Sequence, residues 1–338
     1  MAYTTIDNPE LYFQVKAYTG NGTAIGSGGL AVTLDGDEDM QPDFVWLKNR
    51  STADRSNQVY DVLRGVTKGL KTNSSDEENT SSERLTAFGS DGFTVGDNVD
   101  VNTSGDNYVA WCWKESATAG FDIVSFTGND TARTISHNLS AVPKMMIFKN
   151  TGSSSSEWPV YHGANTSAPA TDRLFLSGTH ATGDNSTFFN DTAPTSSVFS
   201  VGDSSDVNEA SEITISYLFA EKQGFSKFGS YTGNGDADGT FIYTGFRPAF
   251  VMVKESSTTN SWRILDNKRS PINVANLALK ADMSSAEFTA DHETDFLSNG
   301  FKARTSDSNI NRSSGTYIYM AFAEAPFVNS NGVPCNAR

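Results

Sequence analysis

Apolar and polar residues alternate in short runs along this chain, and the same runs return three times. An aromatic residue followed by Thr-Gly-Asn closes an alternating stretch at Tyr18-Thr19-Gly20-Asn21-Gly22, at Phe126-Thr127-Gly128-Asn129-Asp130 and at Tyr231-Thr232-Gly233-Asn234-Gly235. The alternation before each is Phe13, Val15 and Ala17, then Phe121, Ile123 and Ser125, then Phe225, Lys227 and Gly229. Period two predicts strands, and Gly-Asn predicts hairpin turns, because both residues tolerate positive φ at low cost. A second marker is Pro, an apolar run and Lys: Pro42 to Lys48, Pro143 to Lys149, and Pro248 to Lys254. Proline suits the first residue of a strand, and an unbroken apolar run predicts burial on both faces. About a dozen residues later come Val59-Tyr60-Asp61, Trp158 to His162, and Trp262 to Asp266. These predict the antiparallel partner of each run. The third marker is a Phe, a polar stretch with an Asn, and a closing aromatic strand. It reads Phe93, Asn102 and Tyr108 to Trp113; Phe199, Asn208 and Ile213 to Phe219; Phe301, Asn311 and Tyr317 to Phe322.

Three ordered markers, repeating about every hundred residues, predict an all-β chain of three tandem β-sandwich domains, of jelly-roll or lectin-like type, with few short helices. The expected domains are residues 1–118, 119–223 and 224–338, the last carrying a C-terminal tail. Solenoid and propeller units are shorter, about 20–50 residues. The seams, near Ala117–Gly120 and Lys222–Gly224, are short and predict close packing. Short helices are expected at Tyr60–Leu70 and Ala275–Lys280, an exposed acidic loop at Thr72–Arg84, and a flexible hairpin tip at Ser153–Glu157.

Composition sharpens this picture. Charged residues are 19% and apolar residues 37% of the 338-residue chain. Turn formers fill the difference, and they are poor in helix interiors. Aromatic content of 11% argues against a disordered polar chain. A net charge of -15 disfavours nucleic acid as a partner. No run of apolar residues is long enough for a spanning helix, so no membrane insertion is expected. The opening residues lack a basic region followed by an apolar core, so no secretory signal is expected. Cys112 lies in a strand-like run and Cys335 near the C-terminus, and both are expected as reduced thiols.

Candidate chemistry is sparse. His137, His162, His180 and His292 form no zinc-ligand pattern. His137 and His162 are expected as partly exposed strand-end histidines. Asp61 and Asp266 stand where His162 falls, so the position stays polar while its chemistry changes. No nucleophile elbow and no phosphate-cradling loop is present, and Gly26-Ser27-Gly28-Gly29 lies between predicted strands. Most carboxylates sit in polar loops, where solvated surface is the expected role. Asn234, Asp236 and Asp238 supply oxygens at alternate positions, as in a calcium loop. The twelfth position, where such a loop needs a bidentate Glu, is Gly245, so a plain turn is the stronger expectation and no metal or other cofactor is assigned. Asp35 to Asp39 is a weaker version of the same pattern. Trp46, Trp111, Trp113, Trp158 and Trp262 fall in apolar runs and are expected in the core. Trp158 and Trp262, at strand ends, are the two candidates for stacking on a sugar.

The strings FSKFGSYTGNGDADGTFIYTGFRPAFVMVK, DFLSNGFKAR and GTYIYMAFAEAPF within Phe225–Phe327, with TTIDNPELYFQVKAYTGNG and YVAWCWK in copy one, resemble a repeat-domain family of tail fibre-like structural proteins from marine tailed bacteriophages. The resemblance covers nearly the whole chain. It implies a virion component, a concanavalin-like sandwich and no catalytic residues. Copy two has Asp130 in place of the second Gly and lacks an FRPA string, so a ligand site common to all copies is not implied. The expected function is therefore a non-enzymatic virion protein, a tail-associated fibre or adhesin, made in the host cytoplasm and released by lysis. Its expected partners are other virion proteins, further copies of itself and a host surface glycan. Alternatives are a capsid-surface decoration protein and a carbohydrate-binding receptor-recognition module. A tail depolymerase is disfavoured, because the short repeats of a long β-helix are missing.

Overall fold

The computed structural model describes residues 3–289 and 292–336. Strands take 41% of the chain and helices 7%, so the class is all-β. Each copy builds one large and one small sheet, and every ladder named here is antiparallel. In copy one the large sheet runs β1 (Phe13–Thr19), β9 (Asn107–Trp113), β3 (Phe44–Asn49), β4 (Gln58–Asp61), β5 (Lys68–Lys71) and β6 (Asn79–Thr80). Its small sheet is β2 (Leu30–Thr33), β8 (Gly92–Val95) and β7 (Leu85–Gly89). Copy two repeats the order with β10 (Phe121–Thr127), β17 (Ile213–Phe219), β12 (Met145–Asn150), β13 (Pro159–His162), β14 (Asp172–Phe175) and β15 (Gly183–Asp184), opposite β11 (Arg133–Ser136) and β16 (Val198–Val201). Copy three has β18 (Ser226–Thr232), β25 (Thr316–Pro326), β20 (Phe246–Glu255), β21 (Arg263–Asp266) and β22 (Leu279–Lys280), opposite β19 (Phe241–Tyr243), β24 (Gly300–Ala303) and β23 (Thr294–Leu297).

Tyr18, Phe126 and Tyr231 each occupy the sixth position of the first strand, opposite Tyr108, Thr214 and Tyr317. The Thr-Gly-Asn segment that follows is not a hairpin turn. It carries the chain out of the large sheet into the small one, from β1 to β2, β10 to β11 and β18 to β19. Its first glycine is required by space: a Cβ on Gly20, Gly128 or Gly233 would lie 2.2, 2.0 or 2.3 Å from the backbone oxygen of Thr103, Glu209 or Arg312. Positive φ belongs to the position two residues on, at Gly22, Asp130 and Gly235.

The apolar runs are buried on both faces because each large sheet lies between two cores. Phe44 and Trp46, Met145 and Ile147, and Phe250 and Met252 point into one cluster that draws on all three copies. The alternate residues Val45, Met146 and Val251 face a separate cluster between the two sheets of their own copy. At the centre the seventh residues of three equivalent strands, β9, β17 and β25, meet. Ring centroids lie 6.3 Å apart for Trp113 and Phe219, 5.5 Å for Trp113 and Phe322, and 6.0 Å for Phe219 and Phe322. The three copies thus surround an approximate threefold axis of aromatic rings. The connections between copies are tight turns with left-handed glycines, Gly120 and Gly224.

The two expected helices are absent. Tyr60–Leu70 contains the end of β4, a turn and the start of β5. Its helix-like spacing fails because Leu63 and Val66 face solvent, while Gly65 and Thr67 have positive φ. Ala275 and Ala278 instead bridge to Thr294 and Phe288, and Leu279–Lys280 is β22. Three one-turn helices the sequence did not announce, α1 (Val99–Asn102), α3 (Ser205–Asn208) and α4 (Ser308–Asn311), precede the closing strands; α2 (Ser186–Phe189) belongs to copy two alone. The three begin at N-caps Asn98, Ser204 and Asp307, whose side chains accept from the N–H two residues on. The acidic loop Thr72–Arg84 is buried at both ends, and its Glu78 pairs with Arg64 and Lys68.

Candidate functional site

The polar residues that recur in every copy turn inward. Asn102, Asn208 and Asn311 close the three equivalent one-turn helices and are fully buried. Each clamps the Thr-Gly-Asn crossing of its own copy. Asn102 Oδ1 accepts from the backbone N of Asn21 at 2.8 Å, Asn208 Oδ1 from Asn129 at 3.2 Å and Asn311 Oδ1 from Asn234 at 3.0 Å. The first and third sequence markers are therefore the two halves of one joint. In copies one and three the marker tyrosine adds to it, donating to the carbonyl just before the clamp: Tyr18 to Val101 at 2.8 Å, and Tyr231 to Ile310 at 2.7 Å.

The lysine of the second marker is a second joint. Lys48, Lys149 and Lys254 are buried, and their ammonium groups donate to backbone carbonyls. Burial pushes all three down to about 8. Lys48 reaches Ser284 O of copy three at 3.1 Å, and Lys149 reaches Ser75 O of copy one at 2.9 Å.

A third set closes the ring of copies. Trp158 of copy two donates its indole N–H to Lys71 O of copy one at 2.9 Å. Trp262 of copy three donates to Phe175 O of copy two at 2.8 Å. In copy one the equivalent residue is Asn57, whose side chain donates to Met283 O of copy three at 2.9 Å. Trp158 and Trp262 are each 1% exposed, so neither can stack on a sugar. The strand-end residues four positions further along form a second ring. Asp61 accepts from Tyr217 at 2.8 Å, Asp266 accepts from the Trp111 indole at 3.0 Å, and His162 Nε2 lies 3.1 Å from Tyr319 O.

The remaining candidates also meet the chain's own groups. His137 and His162 are buried, not partly exposed, because their rings hold backbone atoms: His137 Nε2 lies 3.2 Å from Thr195 O, and Nδ1 accepts from Leu139 N. His292 Nε2 lies 2.9 Å from Asn276 O, and His180 packs edge-on against Phe175. In the calcium-like loop, Asn234 Oδ1 accepts from Asn311 at 2.8 Å and Asp236 Oδ1 from the Asp238 N–H at 2.8 Å. The Asp238 carboxylate pairs with Lys302 at 2.6 Å. Each of these three side chains is thus engaged by a donor of the chain itself. Among the described residues no group of three His, Cys, Asp or Glu is placed to hold a metal. Cys112 and Cys335 are free thiols, the latter donating to Ser298 O at 3.2 Å.

What faces solvent is most distinctive on the small sheet of copy three. Phe241 and Tyr243, on β19, are 43% and 52% exposed. Beside Tyr243 lies a cavity of about 260 Å³ walled by Tyr3, Glu221, Gln223, Lys227 and Thr244. Sequence reasoning missed this place. The signal was available: Ile242 is flanked by the aromatic Phe241 and Tyr243, whereas the equivalent Val32 and Ile135 are flanked by the small residues Ala31 and Thr33, and Thr134 and Ser136.

A family model matches residues 8–326, and the chain belongs to that family, a domain of unknown function, DUF7483. No curated protein matches the chain.

Proposed function

We propose that this chain is a non-enzymatic structural protein of a tailed-phage particle, most simply a tail-associated fibre or adhesin. In this reading it is three jelly-roll or concanavalin-like sandwiches fused into one compact knob that assembles with further copies of itself and with other virion proteins. One observation carries the non-enzymatic part. The polar side chains that recur in all three copies, namely the asparagine clamp, the buried lysine and the strand-end Asp or His, each hold backbone or side chain of the protein itself. Repeated chemistry that is wholly architectural supports a protein kept for its shape and rigidity. The viral part rests on the resemblance of the Phe225–Phe327 and N-terminal strings to tail fibre-like proteins, and the net charge of -15 suits a particle surface more than a genome-binding role.

The test is immunogold electron microscopy of purified particles, with antibody raised against the whole chain. Gold at the tail or its tip is expected. Gold confined to the head would replace the tail reading with a capsid decoration. Particles that carry no gold, while the antigen stays in the soluble lysate, would overturn the virion reading.

A further inference from the structure

We propose that the cavity beside Tyr243, together with the outward rings of Tyr243 and Phe241, binds a neutral sugar. This deepens the adhesive reading above and rests on it for the surface that bears the sugar.

The first argument compares the copies. Val32, Ile135 and Ile242 stand opposite Phe93, Phe199 and Phe301 and turn toward their own cores. The flanking positions point the other way, because side chains alternate across a strand. Copies one and two place Ala31 and Thr33, or Thr134 and Ser136, at those outward positions. Copy three places Phe241 and Tyr243 there. Two copies show that the fold is satisfied by small residues, so the two rings serve something outside it. Exposed aromatic area beside a cavity marks a contact surface. Gly300 pairs with Tyr243 on the neighbouring strand and brings no side chain to cover the ring.

The second argument is chemical complementarity. Tyr3 fixes one wall: its hydroxyl donates to Gly245 O at 2.8 Å and lies 3.2 Å from the Tyr243 hydroxyl. Across the cavity, Glu221 and Lys227 form an ion pair at 2.7 Å and neutralise each other. Gln223 adds an amide that both donates and accepts, and Thr244, whose hydroxyl donates to Phe246 O at 2.8 Å, adds an acceptor. The rim therefore offers donors and acceptors in mixture with no net charge. A pyranose matches it, with hydroxyls that do both and a CH face that packs on an aromatic ring. An anion finds no uncompensated cation here, and a cationic ligand would be drawn to the acidic surface at large. The volume, about 260 Å³, lies below the range of about 300–1,000 Å³ typical for drug-sized ligands and suits a single sugar ring.

The test uses the full chain and a variant that gives copy three the residues of copy two, F241T/Y243S. Both are applied to an array of glucose, galactose, mannose and N-acetylglucosamine oligosaccharides, with sialylated and sulfated glycans as the acidic arm. Retention on at least one neutral oligosaccharide is expected, with affinity at least about tenfold weaker in F241T/Y243S. The matching change in copy two, T134A/S136A, should leave binding unaltered, and circular dichroism should show both variants folded. Failure to retain any neutral oligosaccharide, retention of acidic glycans alone, or equal retention by F241T/Y243S would overturn the proposal. A chain that binds sugar yet is absent from particles fails the viral reading and leaves the site standing; a chain found on particles that binds no sugar does the reverse.

Discussion

At one strand-end position three side chains solve the same problem in two ways. Asp61 and Asp266 are fully buried carboxylates, and each has an arginine three residues on: Arg64 at 2.5 Å and Arg269 at 2.6 Å. Copy two has His162 and, three residues on, Asn165, so the pair there is neutral. A buried charge needs its partner, and copy two has dispensed with both together. His162 accepts from Ala164 N through Nδ1, which leaves Nε2–H to donate to Tyr319 O. Burial pushes its pKa from 6.5 down to about 4, against a smaller opposing effect of the Tyr319 carbonyl. The folded state therefore excludes a proton that the unfolded chain takes up below 6.5. The stability that neutral His162 contributes is complete above 6.5 and is lost as pH falls toward about 4. Between neutral pH and the low end of that window the loss should be about 2–3 kcal/mol. Urea unfolding of the wild type and His162→Asn across this range measures it. The wild type should lose that much more than the variant, and parallel pH profiles would refute the assignment.

Among the elements, the crossings from large to small sheet are the least forgiving. Gly128→Ala would drive a Cβ to 2.0 Å from Glu209 O and 2.6 Å from Asn208 C, both backbone atoms. Relief requires α3 and its clamp to shift, which should lower stability by about 1–3 kcal/mol. Gly26→Ala, with nothing within 4 Å and no positive φ, is the matched control. It should change the denaturation midpoint by less than about 0.5 kcal/mol equivalent, and similar losses in both variants would show that the crossing is not the cause. These crossings also mark where the sequence stops being readable. Period two located the strands, and the pairing of β3 with β4, β12 with β13 and β20 with β21 followed from proximity along the chain. Asn102 lies 81 residues from the Asn21 backbone it holds, and no local pattern encodes such a bond. The recurrence of that asparagine was visible while its partner was not. Trp158 and Trp262 were misjudged as sugar-stacking candidates for a related reason: a strand end is exposed in an isolated sandwich, but here the next copy covers it. The outward rings of Phe241 and Tyr243 were legible only by setting the three copies side by side.

For the molecule as a whole, the consequence is cooperativity. Each copy has a core of its own between its two sheets, which alone would permit three independent unfolding units. The shared cluster forbids this. Cut free, copy two would present Phe121, Met145, Ile147, Trp158, Val160 and Phe219 to water, all now buried against its neighbours. A buried aromatic removes about 150–250 Å² from water, worth about 25 cal/mol per Å², so even two or three such rings outweigh much of the roughly 5–15 kcal/mol that holds a domain folded. Calorimetry of the full chain should give one transition whose calorimetric and van't Hoff enthalpies agree. A fragment of residues 119–223 should show strand content without a cooperative transition. Phe219→Ala, at the meeting point of the three copies, should destabilise the entire chain by about 3–5 kcal/mol. Because Trp113 belongs to copy one and touches the Phe219 ring from copy two, tryptophan fluorescence and far-ultraviolet dichroism should move together in that variant. Separate transitions, or an early loss confined to residues 119–223, would mean that the central rings are a contact between finished domains and not the core that makes them one.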